Sequence, residues 1–328
     1  VSATRTQCKL DARKFAACRT SITYRRLQAG RHTFTLTVSH GGWARTVKVK
    51  WTIDLTRPTS PVVTGGSSSW VTTPPVLRAS GSTDVGTGIA GYQHRQSSDG
   101  GLSWSTVASG QSVTVSTSGS TWVQFRARDR AGNVSAWAPV APDAASSALL
   151  DDTPPTPPLL SGEGAAWVHA PQVDVTASGS VDALSNPVSY QYRTSPDQGT
   201  TWTSWTAGTD APVTAEGKTL VEFRAVDALG NATAPVETPV WIDRTPPSDP
   251  VLAGGAASWS SAASVKVTAS ASTDATSGVA GYQYETSLNG APFSAPQPGS
   301  SVSVSAEGQT VVQFQALDGS GLPSGWVS

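Results

Sequence analysis

Thr121-Trp122-Val123-Gln124-Phe125-Arg126-Ala127-Arg128-Asp129 alternates with a period of two: Val123, Phe125 and Ala127 share one face, and Gln124, Arg126 and Arg128 share the other. The alternation predicts a strand with one face in a core, ended by an Asp turn. The phrase returns twice, as Val221, Phe223 and Ala225 before Asp227 and as Val312, Phe314 and Ala316 before Asp318. Upstream of each copy stands a tyrosine strand, Gly91-Tyr92-Gln93, Tyr190-Gln191-Tyr192 and Gly281-Tyr282-Gln283-Tyr284, and farther upstream a tryptophan, at 70, 167 and 259. The Trp-to-Trp steps of 97 and 92 residues match one small all-β domain rather than a solenoid unit of about 20–50 residues. The chain therefore reads as tandem β-sandwiches. Tyr92, Tyr190 and Tyr282 are expected on the central strand beside each alternating strand, and Trp70, Trp167 and Trp259 as packing residues near each module's start.

Composition agrees. The 328 residues are 38% hydrophobic and 14% charged, enough apolar material for several small cores. Gly and Pro are frequent and no long 3.6-residue period occurs, so many short strands and almost no helix are expected. No stretch reaches the roughly 20 apolar residues of a membrane span, and no signal-type segment opens the chain. That last absence decides little in a chain without Met, which reads as a fragment or a processed form.

Boundaries fall at proline hinges: Arg57-Pro58, Asp152-Thr153-Pro154-Pro155 and Asp243-Arg244-Thr245-Pro246-Pro247. Proline denies a ladder donor and stiffens the connection, which favours an extended rod. The expected modules are 1–57, about half the length of the others; 58–152; 153–245; and 246–328, one strand short. Either flanking sequence is missing, or another chain supplies the absent strand, since an open sheet edge accepts one readily.

Asp129-Arg130-Ala131-Gly132-Asn133 and Asp227-Ala228-Leu229-Gly230-Asn231, each followed by a closing strand and an Asp-x-Thr-Pro-Pro hinge, resemble the bacterial Ig-like repeats of large secreted and cell-surface proteins. The first module resembles a sister type, through Cys8-Lys9-Leu10-Asp11, Phe15, Cys18, Leu27 to Phe34 and Trp51-Thr52-Ile53-Asp54. The resemblance covers nearly the whole chain. It implies tandem Ig-like or fibronectin-III-like β-sandwiches outside the cell, and says little about ligand, because such repeats serve as stalks, spacers and adhesin segments alike. The first module departs at His40, where the others carry the turn Asp. Cys8 and Cys18, the two cysteines, flank an expected hairpin turn at a spacing that suits a local disulfide contributing roughly 3 kcal/mol. Two free thiols are the rival reading.

Ser97-Ser98-Asp99-Gly100-Gly101-Leu102-Ser103-Trp104 and Ser195-Pro196-Asp197-Gln198-Gly199-Thr200-Thr201-Trp202 look like the Asp box of sialidase propellers, a hairpin device in which Asp caps turn amides. It reads as structural here, and the repeat period does not match single propeller blades. No catalytic residues are expected. The histidines at 32, 40, 94 and 169 fall at different places in the repeats, and no Gly-x-Ser-x-Gly, His-Glu-x-x-His or Walker-type loop is present.

No resident cofactor or metal is expected, and calcium is the one small ligand to weigh. Asp84, Asp182 and Asp274 precede Gly- or Ser-containing loops, Asp129, Asp227 and Asp318 open the later turn, and Asp54, Asp152 and Asp243 lie at module junctions. Calcium wants about 6–8 oxygen ligands, but Asp is equally a preferred turn residue. Asn133-Val134-Ser135 and Asn231-Ala232-Thr233 match glycosylation acceptors, yet both fall in that repeated turn.

Charge is uneven. Residues 1–57 hold twelve Lys or Arg against Asp11 and Asp54, while the rest of the chain is acidic and the total is −1. A basic end on an acidic array offers docking to a protein, to an anionic surface polymer or to a second copy. Nucleic acid is not expected, since no aromatic platform accompanies the basic residues. Trp104, Trp202 and Trp205 are candidates for stacking on sugar rings. Together these features point to a non-enzymatic, extracellular stalk, adhesion or assembly segment of a bacterial surface protein. The alternatives are a carbohydrate-binding module array of a secreted hydrolase and a filament subunit built by strand sharing between copies.

Overall fold

The alternating stretches do form strands, and each buries its apolar face. The computed structural model describes residues 4–162 and 164–328; among them there is no helix, and the chain divides into two compact units, Val1–Asp152 and Thr153–Ser328. The architecture is all-β: the first unit holds a single four-stranded sheet followed by one β-sandwich, and the second holds two β-sandwiches in tandem.

In the first unit, β1 (Arg5–Leu10), β2 (Ala16–Ala17), β3 (Gly30–His40) and β4 (Trp43–Ile53) form an antiparallel sheet in the order β2-β1-β3-β4. The disulfide Cys8–Cys18 clips its β1–β2 hairpin, with the two Cα atoms 5.5 Å apart. Then β5 (Val62–Thr64), β6 (Val76–Ser80), β7 (Ile89–Ser97), β8 (Ala108–Ser109), β9 (Ser112–Thr114), β10 (Gly119–Asp129) and β11 (Ser147–Leu150) sort into two sheets, β5-β6-β9 and β11-β10-β7-β8. Leu77, Ala79, Val123 and Phe125 are fully buried between these two sheets.

In the second unit, β12 (Leu159–Ser161), β13 (Gly164–Val168), β14 (Val173–Ser178), β15 (Ser189–Ser195), β16 (Thr206–Ala207), β17 (Asp210–Val213), β18 (Gly217–Val226) and β19 (Val236–Ile242) make the sheets β12-β14-β17 and β13-β19-β18-β15-β16. The last module repeats the plan with β20 (Val251–Gly254), β21 (Val265–Ser270), β22 (Val279–Leu288), β23 (Gln297–Pro298), β24 (Ser301–Val304) and β25 (Thr310–Asp318), as β20-β21-β24 and β23-β22-β25.

Phe125, Phe223 and Phe314 are wholly buried, each contributing about 2–3 kcal/mol by removal from water. Each lies opposite a ring on the neighbouring strand: Tyr192 faces Phe223 and Tyr284 faces Phe314, while His94 takes that place against Phe125, all with centroids 5.6 Å apart. Tyr92, Tyr190 and Tyr282 pack against the three cores.

The tryptophan landmarks divide. Trp167 on β13 packs on Trp241 of β19, its parallel partner strand, at 5.6 Å, and Trp70 is half-buried. Trp259 is 86% exposed, so the expectation that it packs near its module's start is wrong. Trp167 needs β19 to pack upon, and among the described residues the sheet β23-β22-β25 has no counterpart of that strand.

Candidate functional sites at the module junctions

Each closing strand ends in an aspartate: Asp54 after β4, Asp151 after β11 and Asp243 after β19. The hinge acid of the second module is therefore Asp151, which is fully buried, and not Asp152, which is exposed and hydrogen-bonded to Ser118. In the Asp-x-Thr-Pro-Pro hinge it is Asp151 that aligns with Asp243, and Asp152 holds the variable position.

In the first unit Asp54 reaches from the end of its module into the loop of the next. Its Oδ1 accepts from Thr56 N and Oγ1 at 3.0 and 2.5 Å, and its Oδ2 from Thr87 N and Oγ1 at 2.7 and 2.8 Å. These donors, Thr56 foremost and then Thr87, favour the anion and pull its pKa down to about 2. Gly86 lets the carboxylate approach this closely: a Cβ at that position would lie 2.2 Å from Asp54 Oδ2, so any larger residue would displace the Asp54 side chain from its four donors. Asp84 Oδ2 accepts from Gly88 N, closing the same loop. Asp129, 1% exposed, opens the turn after β10: its Oδ1 accepts from Gly132 N and Asn133 N, and its Oδ2 from Asn133 Nδ2 at 2.7 Å. The same Nδ2 donates to the Asp54 carbonyl at 3.1 Å. One carboxylate oxygen from each of Asp54, Asp84 and Asp129 lies within 4.8 Å of the others.

The second unit repeats this between its two modules. Asp243 Oδ1 accepts from Thr245 N and its Oδ2 from Ser277 N, each at 3.0 Å. Asp274 Oδ1 takes Thr276, Ser277 and Gly278 N–H groups. Asp318, 2% exposed, receives Ser320 N, Ser320 Oγ and Leu322 N on Oδ1. Its buried Oδ2 has no hydrogen-bond partner among the described residues. Asp243, Asp274 and Asp318 also bring one oxygen each within 4.8 Å. Asp182 and Asp227 fill the loop and turn positions of the third module, and Ser185 Oγ donates to Asp227 Oδ2 at 2.8 Å. The glycosylation-type Asn133 and Asn231 both spend their side-chain amides inside these turns.

The Asp boxes are hairpin locks. Asp99 accepts from Ser97 Oγ, Ser103 N and Ser103 Oγ, and Asp197 from Ser195 Oγ, Thr201 N and Thr201 Oγ1. These bonds, those from Ser103 and Thr201 foremost, hold Asp99 far below the usual carboxylate range and Asp197 at about 2.

The polar face of β10 and β18 carries an arrangement that the sequence pattern did not reveal. Arg95 lies 4.0 Å from the centroid of Trp104 and 4.5 Å from that of Trp137, and Arg126 lies on Trp137. Arg193 lies 4.6 Å from both Trp202 and Trp205, and Arg224 lies on Trp205. Cross-strand amides and acids fix the guanidiniums, Gln124 for Arg95 and Glu222 for Arg193. Each such contact contributes about 0.5–2 kcal/mol. Thus the candidate sugar-stacking residues Trp104, Trp202 and Trp205 are half-buried and already engaged by arginine. Their signal was the recurrence of Arg two residues before each box and of Trp within or after it.

The four histidines have separate partners. His32 is bonded by Nδ1 to Asp11 Oδ2 at 2.8 Å and by Nε2 to the Gln28 carbonyl, which raises its pKa, Asp11 being the larger cause. His40 meets Thr4, His169 the Ser320 carbonyl and His94 the Phe125 ring, where burial lowers its pKa.

No protein-family model matches the sequence, and no curated protein matches it. Among solved structures, the FN1-FN3 domains of chicken CNTN1 are similar, with 14% identity over 82% of this chain and 97% of that one and a TM-score of 0.29.

Proposed function

We propose that the chain is a non-enzymatic mechanical spacer, an extracellular stalk or adhesion segment of a bacterial surface protein. One observation supports this most: the acid that follows a module's last strand is hydrogen-bonded into the loop after the second strand of the next module, through Asp54 to Thr87 in the β6–β7 loop of one unit and through Asp243 to Ser277 in the β21–β22 loop of the other. A spacer has to pass tension from one module to its neighbour. The covalent backbone carries that tension, and strand-end side chains anchored in the following loop limit bending at the junction. The disulfide suits an oxidising compartment, and the Trp–Arg contacts and Asp boxes spend polar groups on rigidity rather than presenting them in a cleft.

Single-molecule stretching of the whole chain tests the reading. A spacer should give separate unfolding peaks, the full-length modules each releasing about 300 Å of contour, as expected for about 95 residues at roughly 3.3–3.6 Å each. A single low-force extension without peaks would contradict it.

A further inference from the structure

We propose that the junction between the third and fourth modules holds a calcium-type divalent cation on Asp243, Asp274 and Asp318. Asp318 Oδ2 is buried without a hydrogen-bond partner among the described residues, and one oxygen of the same carboxylate lies within 4.8 Å of one oxygen each of Asp243 and Asp274. An acid cluster alone signifies little, since turns collect aspartates. Here the sister turns show what is missing. Four residues after the turn Asp stands Asn133 in one module and Asn231 in the next, and each donates Nδ2 to the Oδ2 of its own Asp at 2.7 Å. In the last module that position is Leu322, whose side chain donates nothing.

A buried carboxylate oxygen left without a donor costs about 1–3 kcal/mol or more, and three neighbouring carboxylates add mutual repulsion. A cation answers both at once. The donor set is oxygen alone, with no His or Cys in the cluster, which selects a hard cation. Calcium accepts irregular sets of about 6–8 oxygens, the remainder coming from carbonyls and water, and extracellular modules bind it at about 10⁻⁴–10⁻³ M. Because Asp243 belongs to one module and Asp274 and Asp318 to the next, the ion would cross-link them. The site does not depend on the spacer reading, since its test reads ion binding and not mechanics.

Calorimetric titration of the chelator-treated full chain with CaCl2 tests it, alongside Asp318→Asn and Leu322→Asn. The second variant restores the amide of the sister turns, so it should fold at least as well as the parent in EDTA. Each variant is expected to lose one equivalent of bound Ca2+. An unmodified chain that takes up no Ca2+ at about 5 mM, well above the range for extracellular sites, would overturn the proposal. So would retention of the full stoichiometry by either variant.

Discussion

Replacing Asn133 by Leu copies into the first unit the turn that the last module already has. The side-chain amide donates to Asp129 Oδ2 at 2.7 Å and to the Asp54 carbonyl at 3.1 Å, so the substitution removes both bonds while leaving the backbone Asn133 N to Asp129 Oδ1 bond in place. Asp129 is 1% exposed, so water cannot replace the lost donor. A hydrogen bond to a charged group contributes about 1.5–3 kcal/mol and an orphaned buried acceptor costs about 1–3 kcal/mol, two descriptions of much the same loss, so about 2–3 kcal/mol is expected. For a module near 95 residues each kcal/mol moves the midpoint by about 4–8 °C, so one calorimetric transition of the full chain in EDTA should fall by roughly 10–20 °C. Adding Ca2+ should recover part of the fall, because the orphaned oxygen then resembles that of Asp318. A shift below about 2 °C in EDTA would refute the claim that the amide supports the junction.

Three further outcomes follow from the same geometry. Asp54 and Asp197 are held at about 2, below their ordinary 3.8, and Asp99 is lowered further, so their contribution to stability is complete above about pH 4 and fades as pH falls towards 2; an acid titration followed by near-UV circular dichroism should show this, and Asp99→Asn should remove the share that Asp99 contributes. His94 is lowered by burial against Phe125, so protonation disfavours the fold and stability should drop as pH falls below about 6.5. His94→Tyr, which copies the Tyr192 and Tyr284 pairings, should remove that dependence and raise the melting transition by a few degrees. Gly86→Ala places a Cβ 2.2 Å from Asp54 Oδ2, and the forced displacement should cost about 1–3 kcal/mol in urea unfolding.

Much of this was legible in the sequence because it repeats. The period-two alternation around Phe125, Phe223 and Phe314 marks buried strands directly, since side chains on a strand can only alternate. The Asp boxes and the Asp129 and Asp227 turns were legible for a similar reason: a short acid beside Gly bonds its own backbone whatever surrounds it. What depends on neighbours distant in sequence was not. Trp259 matches Trp167 in position, but burial of Trp167 comes from β19, more than seventy residues later. Arg95 and Trp137 meet only through the sheet, and the bond from Thr87 to Asp54 joins two modules. The exchange of Asn133 for Leu322 was visible in aligned turns, but its meaning required knowing that the Asp oxygen beside it is buried.

The most direct test of the account is backbone amide exchange at two residues, Thr87 and Ser277, whose N–H groups are donated across a junction to Asp54 at 2.7 Å and Asp243 at 3.0 Å. Residue-resolved exchange on the full chain should find both amides protected at least a hundredfold over the unstructured rate, with protection at Thr87 lost in Asp54→Ala and at Ser277 in Asp243→Ala while the strand amides of Phe125 and Phe314 stay protected. Exchange of Thr87 and Ser277 at the unstructured rate in the unmodified chain would contradict it.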